Sequence, residues 1–249
     1  MQALEVSVPG LRAFRWSADE PYSAMKESYA IGLVDAGRAV FTHRGKKYGC
    51  GPGSLVLKGP GDVHRDVGRD GPITIQVVSF PPSAVEPLIR KGTRVHAMLA
   101  SGDPRGAAFR RLHQAVRARA DRLALEVAIT EALAALANAA DARSGPTRPV
   151  RQALELLRAR LGEHVTLDDL AAHAGLDKFH LCRAFRAEIG MPPHAYLTYL
   201  RIARAKELLA AGVRPREVAA QVGLYDQSQL NRHFVRIVGT TPGRWARGV

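Results

Sequence analysis

Cysteine is scarce: Cys50 and Cys182 are the only two in 249 residues, and they lie far apart in sequence. Two distant thiols make neither a disulfide framework nor the paired spacing of a zinc site. No run approaches the ~18 apolar residues that a membrane helix needs. The opening residues, MQALEVSVPGLRAFRW, hold no basic stretch followed by a long apolar core, so no secretory leader is expected. The expectation is therefore a reducing, cytoplasmic setting with no membrane partner. Acidic side chains are also in short supply, with 23 Asp and Glu against 36 Lys and Arg and a net charge of +13. Such an excess raises a polyanion as partner, either nucleic acid or an anionic membrane surface. Charge alone does not decide between them, because 29 of the 36 basic residues are Arg and Ala is abundant, the mark of a composition bias. Apolar residues at 46% and charged residues at 24% exclude wholesale disorder and a fibrous protein. The length allows one large domain or two ordinary ones.

Along the first eighty residues, β-branched and apolar runs at 29–34, 38–43, 54–57 and 73–80 read as strands. Turn-forming clusters at 35–37, 45, 49–53, 59–61 and 68–72 punctuate them. Short strands at close spacing predict an antiparallel sandwich or small barrel. After Pro81–Pro82 the period becomes helical, over 83–91, 104–119 and 122–140. In the last of these, Leu125, Ile129, Leu133 and Leu136 form a stripe. A stripe of this kind buries against its own sheet or against a second subunit, and pattern does not separate the two. Residues 143–149, RSGPTRP, read as a linker between a domain over 1–142 and another over 150–249.

The second domain contains an internal repeat. Asp177, Leu181, Arg183, Phe185, Gly190 and Pro193 return 49 positions later as Asp226, Leu230, Arg232, Phe234, Gly239 and Pro242. Tyr196 returns at that offset as another aromatic, Trp245. Ala171 and Gly175 match Ala219 and Gly223 at 48, a one-residue change in the turn. Each copy reads as helix–turn–helix. Thr166 and Asp177 are N-caps in the first, Gly175 turns the chain, and Leu181 and Phe185 face inward. In the second, Pro215 opens a helix, Gly223 turns, Asp226 caps, and Leu230 and Phe234 face inward. A long helix from Pro192 to about Ala211 joins them. Twenty residues span ~30 Å, close to the ~34 Å between successive major grooves on one side of B-DNA.

The outward side of each second helix carries groups able to read bases. Lys178, Phe179, Cys182, Arg183 and Arg186 lie off the buried stripe of the first. Gln227, Ser228, Asn231 and Arg232 lie off that of the second. Arg matches guanine, Gln and Asn match adenine, and an apolar edge suits a thymine methyl. A solvated bundle face is the alternative for one such helix alone. Two copies in a basic domain favour double-stranded DNA.

These residues bring out a resemblance. LDDLAAHAGLDKFHLCRAFRAEIGMPPHAYLTYLRIARAKELL and VAAQVGLYDQSQLNRHFVRIVGTTPGRW resemble the AraC family of bacterial transcription regulators. The resemblance implies two helix–turn–helix units that bind adjacent major grooves. It puts Phe179, Cys182 and Arg183, and then Gln227, Ser228, Asn231 and Arg232, at base-reading positions. Leu224 and Leu230 stand where the family usually has Phe, and Val235 where a basic residue is common. The N-terminal stretch GPGSLVLKGPGDVHRD is similar to the family's sensor. That likeness implies a cupin-like antiparallel β-barrel with trailing helices that pair two chains. The expected fold is thus α+β in two domains, a barrel followed by an all-α double helix–turn–helix.

A small barrel holds one ligand. Trp16, Tyr22, His43, His64 and Arg65 are the candidate contacts for a small-molecule effector. Leu125, Ile129, Leu133 and Leu136 are the candidate homodimer contacts, and RNA polymerase is a further candidate partner. The expected function is an effector-modulated, sequence-specific transcription regulator, with activation and repression not separated by the sequence. The alternative is a cupin-type metal-dependent enzyme with a helical interaction module. Only His43 and His64 fall near the right strands, and the stretch SADEPYSAMKESYAIGLVDAG lacks histidine. No metal, cofactor or catalysis is therefore expected. Cys50, in a Gly-rich turn, is a candidate exposed thiol.

Overall fold

The computed structural model describes residues 2–247 apart from 7, 9, 20–22, 90–93, 96 and 142–144. The candidate contact Tyr22 lies outside the described residues. Two compact units divide the chain, Met1–Gly145 and Pro146–Val249.

The first unit is built on antiparallel strands β1 (Gln2–Leu4), β2 (Arg12–Ala18), β3 (Ser23–Met25), β4 (Tyr29–His43), β5 (Lys46–Cys50), β6 (Leu55–Lys58) and β7 (Val63–Phe80). Two short strands, β8 (Arg94–Val95) and β9 (Met98–Leu99), follow helix α1 (Pro82–Val85). The path of paired strands runs β1-β2-β7-β4-β6-β9, with β3 added on β7 and β5 on β4. Among the described residues this path does not close, so the barrel is an open one. Helices α2 (Ala107–Arg117) and α3 (Arg122–Asn138) come next, and β10 (Ala140–Asp141) pairs with β8.

Two expected turns, 35–37 and 68–72, lie inside the long strands β4 and β7. Register shifts at Val34/Ala36 and Ala36/Arg38 absorb the turn-forming residues as bulges. Gly37 makes this possible. Its φ is +83°, and a Cβ there would sit 2.2 Å from the Pro72 carbonyl oxygen. One expected interruption thus became a bend in a continuous strand.

Strand alternation gives the sheet two apolar faces. Ala13, Ile31, Leu55, Leu57, Val78 and Phe80 pack on one face against Phe109, Leu112 and Val116 of α2 and Leu125, Ala128, Ala132 and Leu136 of α3. This settles the stripe. Leu125 and Leu136 are buried in their own unit's core, with Ile129 and Leu133 partly buried against it. The stripe therefore buries against its own sheet, and these four residues do not form a free face for a second chain. The opposite face of the sheet packs inward as a second cluster, Val34, Phe41, Cys50, Val56 and Ile73 with Trp16 and Ile75.

The second unit is helical: α4 (Arg148–Ala159), α5 (Leu167–Ala174), α6 (Lys178–Ile189), α7 (Pro193–Ala210), α8 (Pro215–Gln221), α9 (Gln227–Val238) and α10 (Pro242–Ala246). Arg148 and Pro149, expected in the linker, open α4 instead. Proline loses nothing in a first turn, where its missing N–H would have no partner. Thr147 precedes them, and its backbone N–H and hydroxyl both donate to the Glu188 carboxylate at the end of α6.

Helix ends follow local chemistry. Thr166 and Asp169 form a reciprocal capping box on α5, with bonds of 2.9 and 3.0 Å. Asp177 accepts from the N–H groups of Phe179 and His180, each at 2.9 Å. Asp226 accepts from Gln229 N–H at 2.6 Å. Gly190 and Gly239 end α6 and α9 in the left-handed region. The repeat also returns in packing. Phe185 meets Tyr196 edge-on at 5.8 Å, and Phe234 meets Trp245 edge-on at 6.1 Å.

Candidate nucleic-acid interface and ligand cavity

Burial of one stripe fixes what each second helix presents. In α6, Leu181, Phe185 and Ile189 are buried. That leaves Lys178, Phe179, Arg183 and Arg186 exposed and Cys182 half-buried. In α9, Leu230 and Phe234 are buried, and Gln227, Ser228, Asn231 and Arg232 are exposed. The two sets occupy equivalent faces, because the inward residues stand at the same 49-residue offset. Among the described residues no ion pair engages Arg183 or Arg232, so both guanidinium forks are available. Lys178 differs: its ammonium pairs with Asp168 at 2.9 Å, which ties the start of α6 to α5. His180 is held by Asp177, its own helix cap, and that contact keeps the carboxyl of Asp177 down at about 2.

Phe179 is 86% exposed and Tyr225 is 94% exposed. An aromatic ring at that exposure contributes nothing to its own core. Tyr225 was not singled out in the sequence. Its signal was available, since it directly precedes the cap Asp226 of the second reading helix. Its backbone N–H donates to the Gln229 side chain at 2.8 Å, which orients the entry to α9.

In the first unit, a cavity of about 210 Å³ lies on the inner face of the sheet. Alternating positions of four strands supply its walls: Phe14 and Trp16, Ala30 and Gly32, Val56 and Lys58, Ile75 and Val77. Lys26 and His64 complete it. Of the expected effector contacts, the structure brings Trp16 and His64 together here. Arg65 is one residue along β7 from His64 and so points to the exposed side. His43 is 2% exposed, sits edge-on to Tyr48, and does not line the cavity. Burial holds His43 down at about 3.

His64 Nε2 is hydrogen-bonded to the Asp66 carboxylate at 2.7 Å, and its ring stacks on Phe41. Asp66 is shared with Arg69. The sequence reading missed Lys26 and Lys58. The signal was the run LVLK, where a lysine follows three apolar residues in a strand buried on both faces. Lys58 is 2% exposed, and burial pulls its ammonium down to about 7. Cys50 is not an exposed thiol. It ends β5 opposite Ala39 and is buried, which pushes its pKa up and leaves it a poor nucleophile. Among the described residues no three His, Cys, Asp or Glu side chains are grouped to hold a metal ion, and no helix is long and apolar enough to cross a membrane.

Comparison with known proteins agrees with both halves of this geometry. Residues 170–248 match the family model of a helix-turn-helix domain, and residues 9–133 match that of an AraC-like ligand binding domain. YbfI of Bacillus subtilis (strain 168), named as an HTH-type transcriptional regulator, is 28% identical over 217 residues, which cover 81% of this chain and 78% of that protein. AarP of Providencia stuartii, named as an HTH-type transcriptional activator, is 31% identical over 94 residues, 37% of this chain and 70% of that one. In fold, ToxT from Vibrio cholerae matches with a TM-score of 0.57 at 13% identity, over 95% of this chain and 97% of the other. A further ToxT structure carries a bound unsaturated fatty acid, with a TM-score of 0.53 at 13% identity over 96% of each chain. A ligand-binding sheet domain and a duplicated DNA-binding helix-turn-helix, each matched over its own unit, place this chain in the AraC family of transcription regulators.

Proposed function

We propose that this regulator inserts α6 and α9 into two consecutive major grooves of one DNA face, and that a small molecule in the barrel cavity sets its occupancy. The observation that supports this is the equivalence of the two exposed faces, each built on the same buried pair. The eighteen residues of α7 stand between them, a rod of ~27 Å. Arg183 and Arg232 are assigned to guanine edges, Asn231 and Gln227 to adenine, and Phe179 and Cys182 to a thymine methyl. Ser228 supports the second reading face. Arg186, Lys178 and Tyr225 are assigned to the phosphate backbone. A cytoplasmic regulator without catalytic activity fits this arrangement. The enzyme alternative would need His43 and His64 in one cluster, whereas His64 is engaged by Asp66 and His43 is buried beside Tyr48. Activation is proposed by analogy with AarP, named as an activator, with RNA polymerase as the proposed partner, and run-off transcription with purified polymerase separates it from repression.

Arg183→Ala tests the assignment. Binding should weaken by about 1–3 kcal/mol, and preference should relax at one base position only. Equal weakening on every sequence would make Arg183 a phosphate contact and remove the base-reading role.

A homodimer is proposed through the outer face of α3. Leu123 is 72% and Val127 51% exposed, one turn apart on a helix whose inner face is already buried.

A further inference from the structure

Lys58 is unlike the other basic residues of the first unit. Its Nζ is buried without a hydrogen-bond partner and lies 4.2 Å from the centre of the Phe41 ring. An ammonium kept this way is costly, because burial removes its water and nothing replaces the lost bonds. Its strand position directs it into the cavity rather than out to solvent, opposite Ala30 of β4. Asp62, whose charge acts on Lys58, makes no hydrogen bond to it. Asp62 accepts from Arg44 at 2.8 Å and from the Gly59 N–H at 2.7 Å. Asp66 is taken by Arg69 and His64. Lys26, Arg44, Asp62, His43, His64 and Cys50 are the charged and titratable groups around Lys58. With the histidines neutral, the cationic side chains near the cavity outnumber the anionic ones.

The rest of the cavity is apolar, walled by Phe14, Trp16, Val56, Ile75 and Val77. Its volume of about 210 Å³ is below the ~300–1,000 Å³ of sites for drug-sized ligands. It exceeds the roughly 150 Å³ of an apolar cavity that holds one benzene. One ring with a short polar group fits, and a long alkyl chain does not.

We propose that the barrel cavity binds a small carboxylate of single-ring size, its anionic head paired with Lys58 and its apolar body against Trp16 and Phe14. This rests on the effector reading above and names the ligand class of that same site. A carboxylate would give Lys58 the hydrogen bonds it lacks and a charge-assisted pair in a dry site. It would also raise the affinity of Lys58 for its proton, so binding above neutral pH takes up a proton.

The test is calorimetry on the full chain with benzoate, phenylacetate and cyclohexanecarboxylate, the neutral benzamide, and oleate. At least one single-ring acid should bind about tenfold or more tightly than the amide. At pH 8 its binding should take up about one proton, read from the enthalpies in two buffers, and less at pH 6. Lys58→Met keeps the apolar volume and removes a buried charge, so it should fold. It should lose about tenfold or more in acid affinity and all proton uptake, without weakening the amide. Gly32→Ala places a methyl 2.7 Å from Ile75 Cδ1, narrowing the cavity, and should weaken acid and amide alike. An amide that binds as tightly as the acids, or acid affinity that survives in Lys58→Met, overturns the anion assignment and leaves the effector reading intact. Tighter binding of oleate than of every single-ring acid overturns the size assignment. If no acid or amide binds, and none changes the affinity of the chain for its operator, the proposal fails together with the effector reading.

Discussion

Buried titratable side chains in the first unit make stability rise with pH in two separate windows, which a stability curve can resolve. Lys58 has its pKa lowered from 10.5 to about 7. Between those values the unfolded chain holds a proton that the folded one gives up, so stability rises with pH across that window. His113, on the buried face of α2, is held at about 4, and His43 at about 3, both by burial. Their unfolded forms protonate near 6.5, so stability falls as pH drops from 6.5 towards 4. Each group contributes up to about 1.4 kcal/mol per pH unit within its window. Denaturation in urea at pH 5, 7 and 9 should show both slopes. Trp16 fluorescence reports it in a Trp245→Phe background, since the chain has two tryptophans. Lys58→Met should flatten the curve between pH 7 and 9 and leave the acid limb. An unchanged alkaline slope would mean that Lys58 keeps its ordinary pKa. Gly223 makes a different demand. It has φ +72°, and a Cβ there would sit 2.6 Å from the Gly162 carbonyl oxygen. Gly223→Ala should therefore destabilise the second unit by about 2 kcal/mol, read as a lowered melting temperature without a change in Arg183-dependent base preference.

At the scale of elements, the helices were more legible than the strands. Asp177 and Asp226, Phe185 and Phe234, Tyr196 and Trp245 recur at one offset, and local capping and packing suffice to turn that recurrence into two like units. The sheet depends on pairing between distant segments, and there residue type misleads. Residues 35–37 and 68–72 have turn chemistry, yet β7 pairs along β4 through them and converts them to bulges. The cavity was half legible. Trp16 and His64 were named from their type, whereas Lys58 reaches it because β6 lies between β4 and β9, which composition does not reveal. The α3 stripe shows the same limit. Periodicity found Leu125 and Leu136, and only the sheet's position showed what covers them. Leu123 and Val127 are what remains outside. Val127→Glu should shift the full chain to monomer in sedimentation while leaving the fold intact, because the residue is half exposed. A dimer that persists at the same concentration would rule out this face.

Across the whole molecule, the basic surplus has two distinct uses. In the second unit, Arg183, Arg186, Arg232 and Arg236 line the exposed faces of two reading helices. On the function proposed above, they would supply salt-sensitive attraction to phosphate as well as base contacts. In the first unit, many arginines are spent on structure: Arg15 and Arg117 hold Asp35, Arg44 holds Asp62, and Arg69 holds Asp66. Lys58 is the one Lys or Arg that is buried as a whole side chain among the described residues, and its Nζ has no hydrogen-bond partner. On the proposed reading, such a regulator would sense with one buried cation and read with several exposed ones. The effector can shift DNA occupancy only by its differential affinity for the two states of the protein.

On the proposed function, α6 and α9 read separate, consecutive grooves. Selection of binding sites from random duplex DNA by the full chain, repeated with Arg183→Ala and Asn231→Ala, tests it most directly. The predicted motif has two boxes about 10–10.5 base pairs apart, centre to centre. Arg183→Ala should blur one box and Asn231→Ala the other. A single box, or the same uniform loss from both substitutions, would contradict it.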